Sequence, residues 1–367
     1  MNSSKYLFVD TLDTLDQACE ELSSQQLLYA DTEFMRVRTY SPQLALIQFA
    51  APTRIFCIDP NANIDLNPLW NILLDPARTK IFHSAKQDYE AFYFKLGKVP
   101  QKLFDTQIAA ALCGHPAQIG YAGLIENRFG ISISKSETRS NWLQRPLTDS
   151  QLNYASEDVE HLEALYNVFY EELTALGRLE WAKEDSAELT NINLYRPSPD
   201  KAWQRLKNLQ YAEPNEQARA RVLASWREQL AVDLDKPRSW IMSDSVLRNI
   251  ATDGPTEKNK LAAVPEIPPA TLRKSGETII RLIEEANQEY RNGNINTIQR
   301  ARPDAEHKAL LKKLSKIVLE KANQLVLPPE ILASKKELNA IILGDGNQRL
   351  LKGWRKNEIG QELLAEL

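Results

Sequence analysis

The sequence predicts a two-part protein, a mixed α/β sheet covered by helices followed by an all-α region. Three observations predict it. Up to residue 195, closely spaced strand patterns give way to strand and helix in alternation. The segment RPSPD at 196–200 has two prolines and no apolar residue, as a linker does. Beyond it there is no convincing strand run, only helical periodicity. A length of 367 residues also favours two or three domains over one.

The strand-like runs LLYADTEF, LALIQFA and RIFCIDP follow one another with short, turn-like connections and read as neighbouring strands. NPLWNILLD reads as a short helix and KIFHSA as another strand. DYEAFYFKLG is a helix closed by Gly97. KLFD leads into TQIAAALCG, and YAGLIENRFG is a further helix ending in glycine. LTDSQLNYASEDVEHLEALYNVFYEELTAL reads as one long helix, opened by a capping box of Thr148 and Gln151. In the all-α region, LASWREQLAVDLDKPRSWIMSDSVL resembles LSKIVLEKANQLVLPPEILASKKEL about 90 residues later. Each reads as a helix, a proline-containing turn, a small-residue cap and another helix, with NTIQRARPDAE at 296–306 joining the two copies.

A composition 43% hydrophobic and 26% charged is that of a soluble globular protein. No apolar run approaches the roughly 20 residues of a membrane helix, and MNSSKYLFVD lacks the pattern of a secretory signal. Cys19, Cys57 and Cys113 are too few and scattered for a disulfide framework or a zinc cluster. Together these predict a cytoplasmic protein with no membrane partner. The net charge of −4 hides an asymmetry: residues 1–200 hold 17 Lys and Arg against 27 Asp and Glu, and residues 201–367 hold 28 against 22. An acidic front and a basic back suit a metal-dependent site joined to a module that holds a polyanion, although drift of solvated surface charge would give the same balance.

Asp31 and Glu33 in LLYADTEF occupy positions i and i+2 of an otherwise apolar strand, hence one face, roughly 6.5 Å apart. Two such carboxylates repel and lose hydration unless a positive charge lies between them, and hard divalent cations take carboxylate oxygens. Asp88 in IFHSAKQDYEAF falls in the first turn of a helix, where the helix dipole alone would account for it. In NYASEDVEHLEAL, the stripe of Leu152, Ala155, Val159, Leu162 and Tyr166 leaves Tyr154, Asp158 and His161 together on its margin. Glu157 and Glu160 fall on the solvated side. Four converging carboxylates could hold two divalent cations about 3.5–4 Å apart, which activate a water and stabilise charge on the attacking and leaving oxygens. A phenol one turn from a ligand could orient that water. The chemistry predicted is phosphodiester hydrolysis.

Asp31-x-Glu33, Asp88 and Tyr154-x-x-x-Asp158 resemble the three exonuclease motifs of the DEDD superfamily, in its tyrosine subgroup. The sibling subgroup places a histidine where this chain has Asn153. The wider strings DTEFMRVRTYSPQLALIQF, FHSAKQDYEAF and NWLQRPLTDSQLNYASEDVEHL resemble the ribonuclease D family, and the two helical copies resemble paired HRDC domains, a nucleic-acid-binding helical module. The second copy matches that pattern less well. The resemblance implies a ribonuclease H-like exonuclease domain over 1–195, a first HRDC domain over 196–290 and a second, HRDC-like one over 291–367. It implies Asp31, Glu33, Asp88 and Asp158 as ligands of two Mg²⁺ or Mn²⁺ ions, and Tyr154 as the residue aligning the water. It further implies 3′→5′ removal of nucleoside 5′-monophosphates from precursor tRNA and other small structured RNAs, gripped by the HRDC pair.

Asp105 is expected to cap the helix that follows it, His83 to be a satisfied strand-end histidine, and His161 to lie at a core margin. Trp203, Trp226, Trp240 and Trp354 are expected to be core anchors. Arg36, Arg38 and Tyr40 could contact phosphates or stack on a base, or be solvated loop residues; Arg36 is the substrate-binding candidate. GDGN at 344–347 is a turn, and without GxxxxGK[ST] no nucleotide cofactor is expected. A DNA 3′–5′ exonuclease and a catalytically silent RNA-binding protein are the competing functions.

Overall fold

The computed structural model describes residues 5–134, 136–298 and 302–367. The extreme N-terminus of the supposed signal-free start and part of the 296–306 joining stretch therefore lie outside the described residues. The chain forms two compact units, one made of the chain through Met35, Pro42–Tyr195 and Ala305–Leu367, the other of Arg36–Ser41 and Arg196–Asp304.

The first unit begins with β1 (Tyr6–Val9), α1 (Leu12–Ser23), β2 (Leu27–Met35), β3 (Gln43–Ala50) and β4 (Ile55–Ile58). It continues through α2 (Asn67–Leu74), β5 (Thr79–Phe82), α3 (Lys86–Leu96), β6 (Leu103–Asp105), α4 (Thr106–Leu112) and α5 (Tyr121–Phe129). Then come α6 (Asp149–Glu160), α7 (Leu162–Ala175) and α8 (Leu179–Glu188). The strands make one mixed sheet in the order β1-β4-β3-β2-β5-β6, antiparallel where β3 meets its neighbours and parallel elsewhere. Side-chain alternation sends Tyr29, Leu46, Cys57 and Ile81 to the face covered by α6 and α7. Leu28, Ala30, Ile47, Phe49 and Phe82 point to the other face, packed by α1, α2 and α3.

β1, α1 and α8 fall outside the runs read from the sequence. β1 is a four-residue strand at the sheet edge, and α1 opens with a capping box of Thr11 and Thr14. The helix expected to run from Thr148 into the 170s is instead two helices. At His161 the backbone leaves the helical region (φ −107°, ψ 8°), and its N–H donates to the Tyr121 hydroxyl at 3.0 Å.

In the second unit, α9 (Pro214–Asp233), α10 (Arg238–Ile241), α11 (Asp244–Asp253), α12 (Lys258–Ala262) and α13 (Pro269–Arg291) enclose Leu223, Leu247, Ile250, Ile279 and Ile283. The second copy of the repeat, α14 (Ala305–Leu325), α15 (Pro329–Leu332) and α16 (Lys335–Ile342), belongs to the first unit. The two copies share their backbone plan. A left-handed residue follows the long helix (Asp235, φ 45°; Val326, φ 52°), and then come a proline and a one-turn helix. An extended residue (Met242, Ala333) and a serine N-cap (Ser243, Ser334) complete the pattern. Leu314, Val318, Ala322, Leu332 and Trp354 enter the same core as Leu165 and Phe169. Trp354 stacks on Trp181 with centroids 4.2 Å apart, and Arg178 donates to both the Leu112 and Leu325 carbonyls.

Of the four tryptophans expected in cores, Trp203 and Trp226 pack against that of the second unit and Trp354 lies in that of the first. Trp240 does not: it is 59% exposed. It sits on the single turn of α10, where Met242 fills the adjoining core position and leaves the indole outward.

Candidate active site

β2 brings Asp31 and Glu33 to the sheet face that α6 covers. At Glu33 the pairing with β3 slips: Glu33 faces Leu46 but Phe34 faces Leu44, so Ala45 is the extra residue of a bulge. Bulges bend a strand and re-aim the side chain beside them. The Ala45 carbonyl, displaced from the ladder, accepts from Arg145 Nη2 at 2.7 Å. Arg145 also grips the Asp59 carboxylate through Nε and Nη2 at 2.6 and 2.7 Å. The segment leading into α6 is thereby fastened to the bulge. α6 then starts on the expected capping box of Thr148 and Gln151 and carries Asp158 in its last turn.

One carboxylate oxygen each from Asp31, Glu33 and Asp158 lies within 4.8 Å of the others, a spacing that a metal ion could bridge. Asp88 stands outside that triplet. It lies in the first turn of α3, on the opposite face of the sheet, and Thr32 Oγ1 donates to its Oδ1. The alternation that turns Asp31 and Glu33 to one side turns Thr32 to the side of Asp88. Asp88 is still close enough for its charge to act on Asp31 and Glu33.

The electrostatics are those of crowded, poorly hydrated carboxylates. Burial first, then Asp88, Asp158 and Glu33, push the Asp31 carboxyl well above its usual value. Burial, Asp158 and Asp88 do the same to Glu33. Burial raises Asp88 to about 7 against the Thr32 hydrogen bond, and raises Asp158 to about 7 against a hydrogen bond from Tyr154. That phenol lies 3.5 Å from Thr138 Oγ1 and packs at 6.0 Å against Trp142, and burial raises its own pKa.

The donor set fits a hard divalent cation: all-oxygen, convergent and mutually repulsive without one. Gln48 pairs with Asp31 across the sheet, and neither atom of its buried amide has a protein partner. A polar side chain so placed beside ligand carboxylates suits a site that holds an ion and its water.

Several expected residues lie elsewhere, in roles their simpler readings describe. Asp105 accepts from the Gln107 and Ile108 N–H groups as an N-cap, and from those of Ser84 and Ala85 as well. His83 is satisfied by Thr106 Oγ1 and the Ile119 carbonyl, each at 3.0 Å. His161 ends α6 and faces Phe129 rather than the triplet. Glu160 pairs with Lys5, whereas Glu157 is half-buried and its charge raises Asp158. Arg36 belongs to the second unit, with Nε donating to the Tyr40 carbonyl at 2.8 Å. Thr32, Thr138, Trp142 and Arg145 went unremarked, and only Gln48, a lone amide in the apolar run LALIQFA, carried a readable signal.

A family model described as 3′-5′ exonuclease matches residues 6–174, and the HRDC domain model matches residues 216–283. The ribonuclease D of Pseudomonas paraeruginosa is 37% identical over 361 residues, covering 96% of this chain and 95% of that protein. That of Gluconacetobacter diazotrophicus is 33% identical, covering 98% and 92%. The crystal structure of Escherichia coli RNase D, described as an exoribonuclease involved in structured RNA processing, superposes with a TM-score of 0.90 at 29% identity. It covers 100% of this chain and 99% of that one. The catalytic core of RRP6 from Trypanosoma brucei shares the fold at a TM-score of 0.60 and 22% identity, covering 78% of this chain and 81% of its own.

Proposed function

The chain belongs to the ribonuclease D family, and from that premise we propose that it hydrolyses RNA from the 3′ end, releasing nucleoside 5′-monophosphates one at a time. The observation that carries the reading is the convergence of Asp31, Glu33 and Asp158, whose ligand oxygens lie within 4.8 Å of one another. We assign these three and Asp88 as the ligands of two divalent ions, Mg²⁺ or Mn²⁺. When bound, such ions lower the pKa of a water and neutralise charge on the phosphate oxygens.

The remaining work falls to the protein. Tyr154, steadied by Asp158, Thr138 and Trp142, directs its hydroxyl at the water that attacks. Thr32 holds the Asp88 carboxyl through its hydroxyl. The bulge at Ala45, clamped by Arg145, sets the angle at which Glu33 enters the site.

We take residues 1–195 as the exonuclease domain, with HRDC-type helical domains at 196–290 and 291–367 that hold the RNA body, and Arg36 as a phosphate contact. The expected substrates are precursor tRNA and other small structured RNAs with 3′ extensions, in the cytoplasm. No helix among the described residues is long and apolar enough to cross a membrane.

The test uses 5′-labelled RNA with a single-stranded 3′ tail, as a plain oligonucleotide and as a 3′-extended tRNA. Stepwise shortening that requires Mg²⁺ or Mn²⁺ and stops in chelator supports the reading. Internal cuts, or trimming that survives chelation, would sink it.

A further inference from the structure

The second unit contains a cavity that the hydrolytic chemistry leaves unused. It measures about 590 Å³ and is lined chiefly by Arg36, Tyr40, Arg205, Arg227, Arg238 and Trp240. That volume falls in the range of small-ligand sites.

Its floor is tightly built. The Glu228 side chain has no exposed surface and accepts from the Tyr40 hydroxyl, from Arg205 Nη1 at 2.8 Å and from Arg238 Nη1 at 3.3 Å. Asp235, in the left-handed turn after α9, accepts from the Tyr40 and Ser41 N–H groups at 3.0 and 2.9 Å, and from the Ser41 hydroxyl at 2.8 Å. The segment 36–41 is thus fixed as one wall. Arg227 is matched by Asp244 at 2.7 Å.

The lining carries more positive than negative charge. Arg36, Arg205, Arg227 and Arg238 line one cavity; Glu228 pairs with Arg205 and Arg238, and Asp244 with Arg227. The side chains of Arg205 and Arg238 are 54% and 38% exposed and line the cavity, each holding Glu228 through Nη1. Beside them stands Trp240, 59% exposed. At the matching position of the second copy the chain has Ile331, which packs against the core of its own unit. Core packing therefore explains the isoleucine and does not explain the tryptophan.

An exposed indole flanked by guanidiniums is what one nucleotide of a flexible strand requires: a π-face for the base and paired N–H donors for the phosphate. We propose that this cavity is a subsite for one nucleotide of single-stranded RNA, its base stacked on Trp240 and its phosphate held by Arg205 and Arg238. The assignment rests on the exoribonuclease reading and adds to it a place, within the second unit alone, where the strand is held by stacking as well as charge.

The test measures binding of fluorescein-labelled octaadenylate to the full chain in chelator, by anisotropy. Trp240→Ala is expected to weaken binding by about fivefold to a hundredfold, the usual effect of removing one stacking platform. Trp240→Phe, which keeps a π-face, should stay within about threefold of the unaltered chain. Ser239→Asp places a negative charge at an exposed position of the lining and should weaken binding about tenfold. Melting curves establish that each variant is folded. If Trp240→Ala binds as the unaltered chain does, or Trp240→Phe is as weak as Trp240→Ala, the subsite is wrong. If the unaltered chain trims RNA normally in that case, the exoribonuclease reading survives; if it neither binds nor trims RNA, that reading fails instead.

Discussion

Two acidic centres, one in each unit, have opposite electrostatics. Glu228 has no exposed side-chain surface, and burial works against its ionisation. The Tyr40 hydroxyl and the Arg238 and Arg205 guanidiniums more than offset that and hold its carboxyl below the usual value. Asp31, Glu33 and Asp158 are crowded together with no cationic side chain of the described residues among the causes acting on them, and all are raised. A chain that supplies its own counter-charge has made a brace. One that withholds it has left the place that the proposed cation would fill. The same residue type thus serves structure in one place and chemistry in the other, and the difference lies in what the surrounding elements bring.

The largest effect expected from breaking this contrast is at the triplet. Asp31→Asn should fold yet lose at least about a thousandfold in RNA hydrolysis, since a bound cation is worth several kcal/mol to the transition state and each 1.36 kcal/mol is tenfold. Its metal-free melting temperature at pH 8 should be no lower than that of the unaltered chain, because one of several repelling charges is gone. Turnover like that of the unaltered chain would remove Asp31 from the site. Tyr154→Phe should keep its cation affinity, read by calorimetry, and slow hydrolysis about a hundredfold; an unchanged rate would end the water-orienting role.

At the brace the sign reverses. Glu228→Ala should cost about 2–4 kcal/mol in urea unfolding, because it strands the Tyr40 hydroxyl and leaves two guanidiniums without their partner. A variant as stable as the parent would mean that the network holds nothing together.

The gentlest probe is pH. The triplet's carboxyls are raised when folded, so between about pH 4 and pH 7 the metal-free folded state binds more protons than the unfolded chain, and stability falls as pH rises through that window. Divalent cation should flatten that slope, and Asp31→Asn should make it shallower. Glu228 acts the other way: its contribution is complete above the usual glutamate value, about 4.3, and is lost as pH falls below it. Chelated melts that rise from pH 5 to pH 8 would contradict the account of the triplet.

What could be read from the sequence was whatever depends on near neighbours. Strand alternation put Asp31 and Glu33 on one face, and helical spacing put Tyr154 beside Asp158, as the hydrogen bond between them bears out. The capping box at Thr148 needed only four residues. What escaped depends on distant ones. The break at His161 is stabilised by a hydroxyl forty positions away, on Tyr121. Asp88 falls outside the triplet because α3 packs on the far face of the sheet, and no local pattern says which face a helix will take. Trp240 and Ile331 occupy like positions in like backbones, and only their different surroundings make one exposed and the other packed.

The placement of Ala305–Leu367 bears on how the protein is made. The residues that complete the hydrophobic interior of the first unit are synthesised only after the whole Arg196–Asp304 stretch of the second. A nascent chain halted before Ala305 has synthesised every proposed cation ligand yet lacks Leu314, Val318, Leu332 and Trp354, so its interior stays open to solvent. Synthesis stopped early should therefore yield a dye-binding, protease-sensitive fragment rather than a premature nuclease, leaving cellular RNA safe from half-made enzyme.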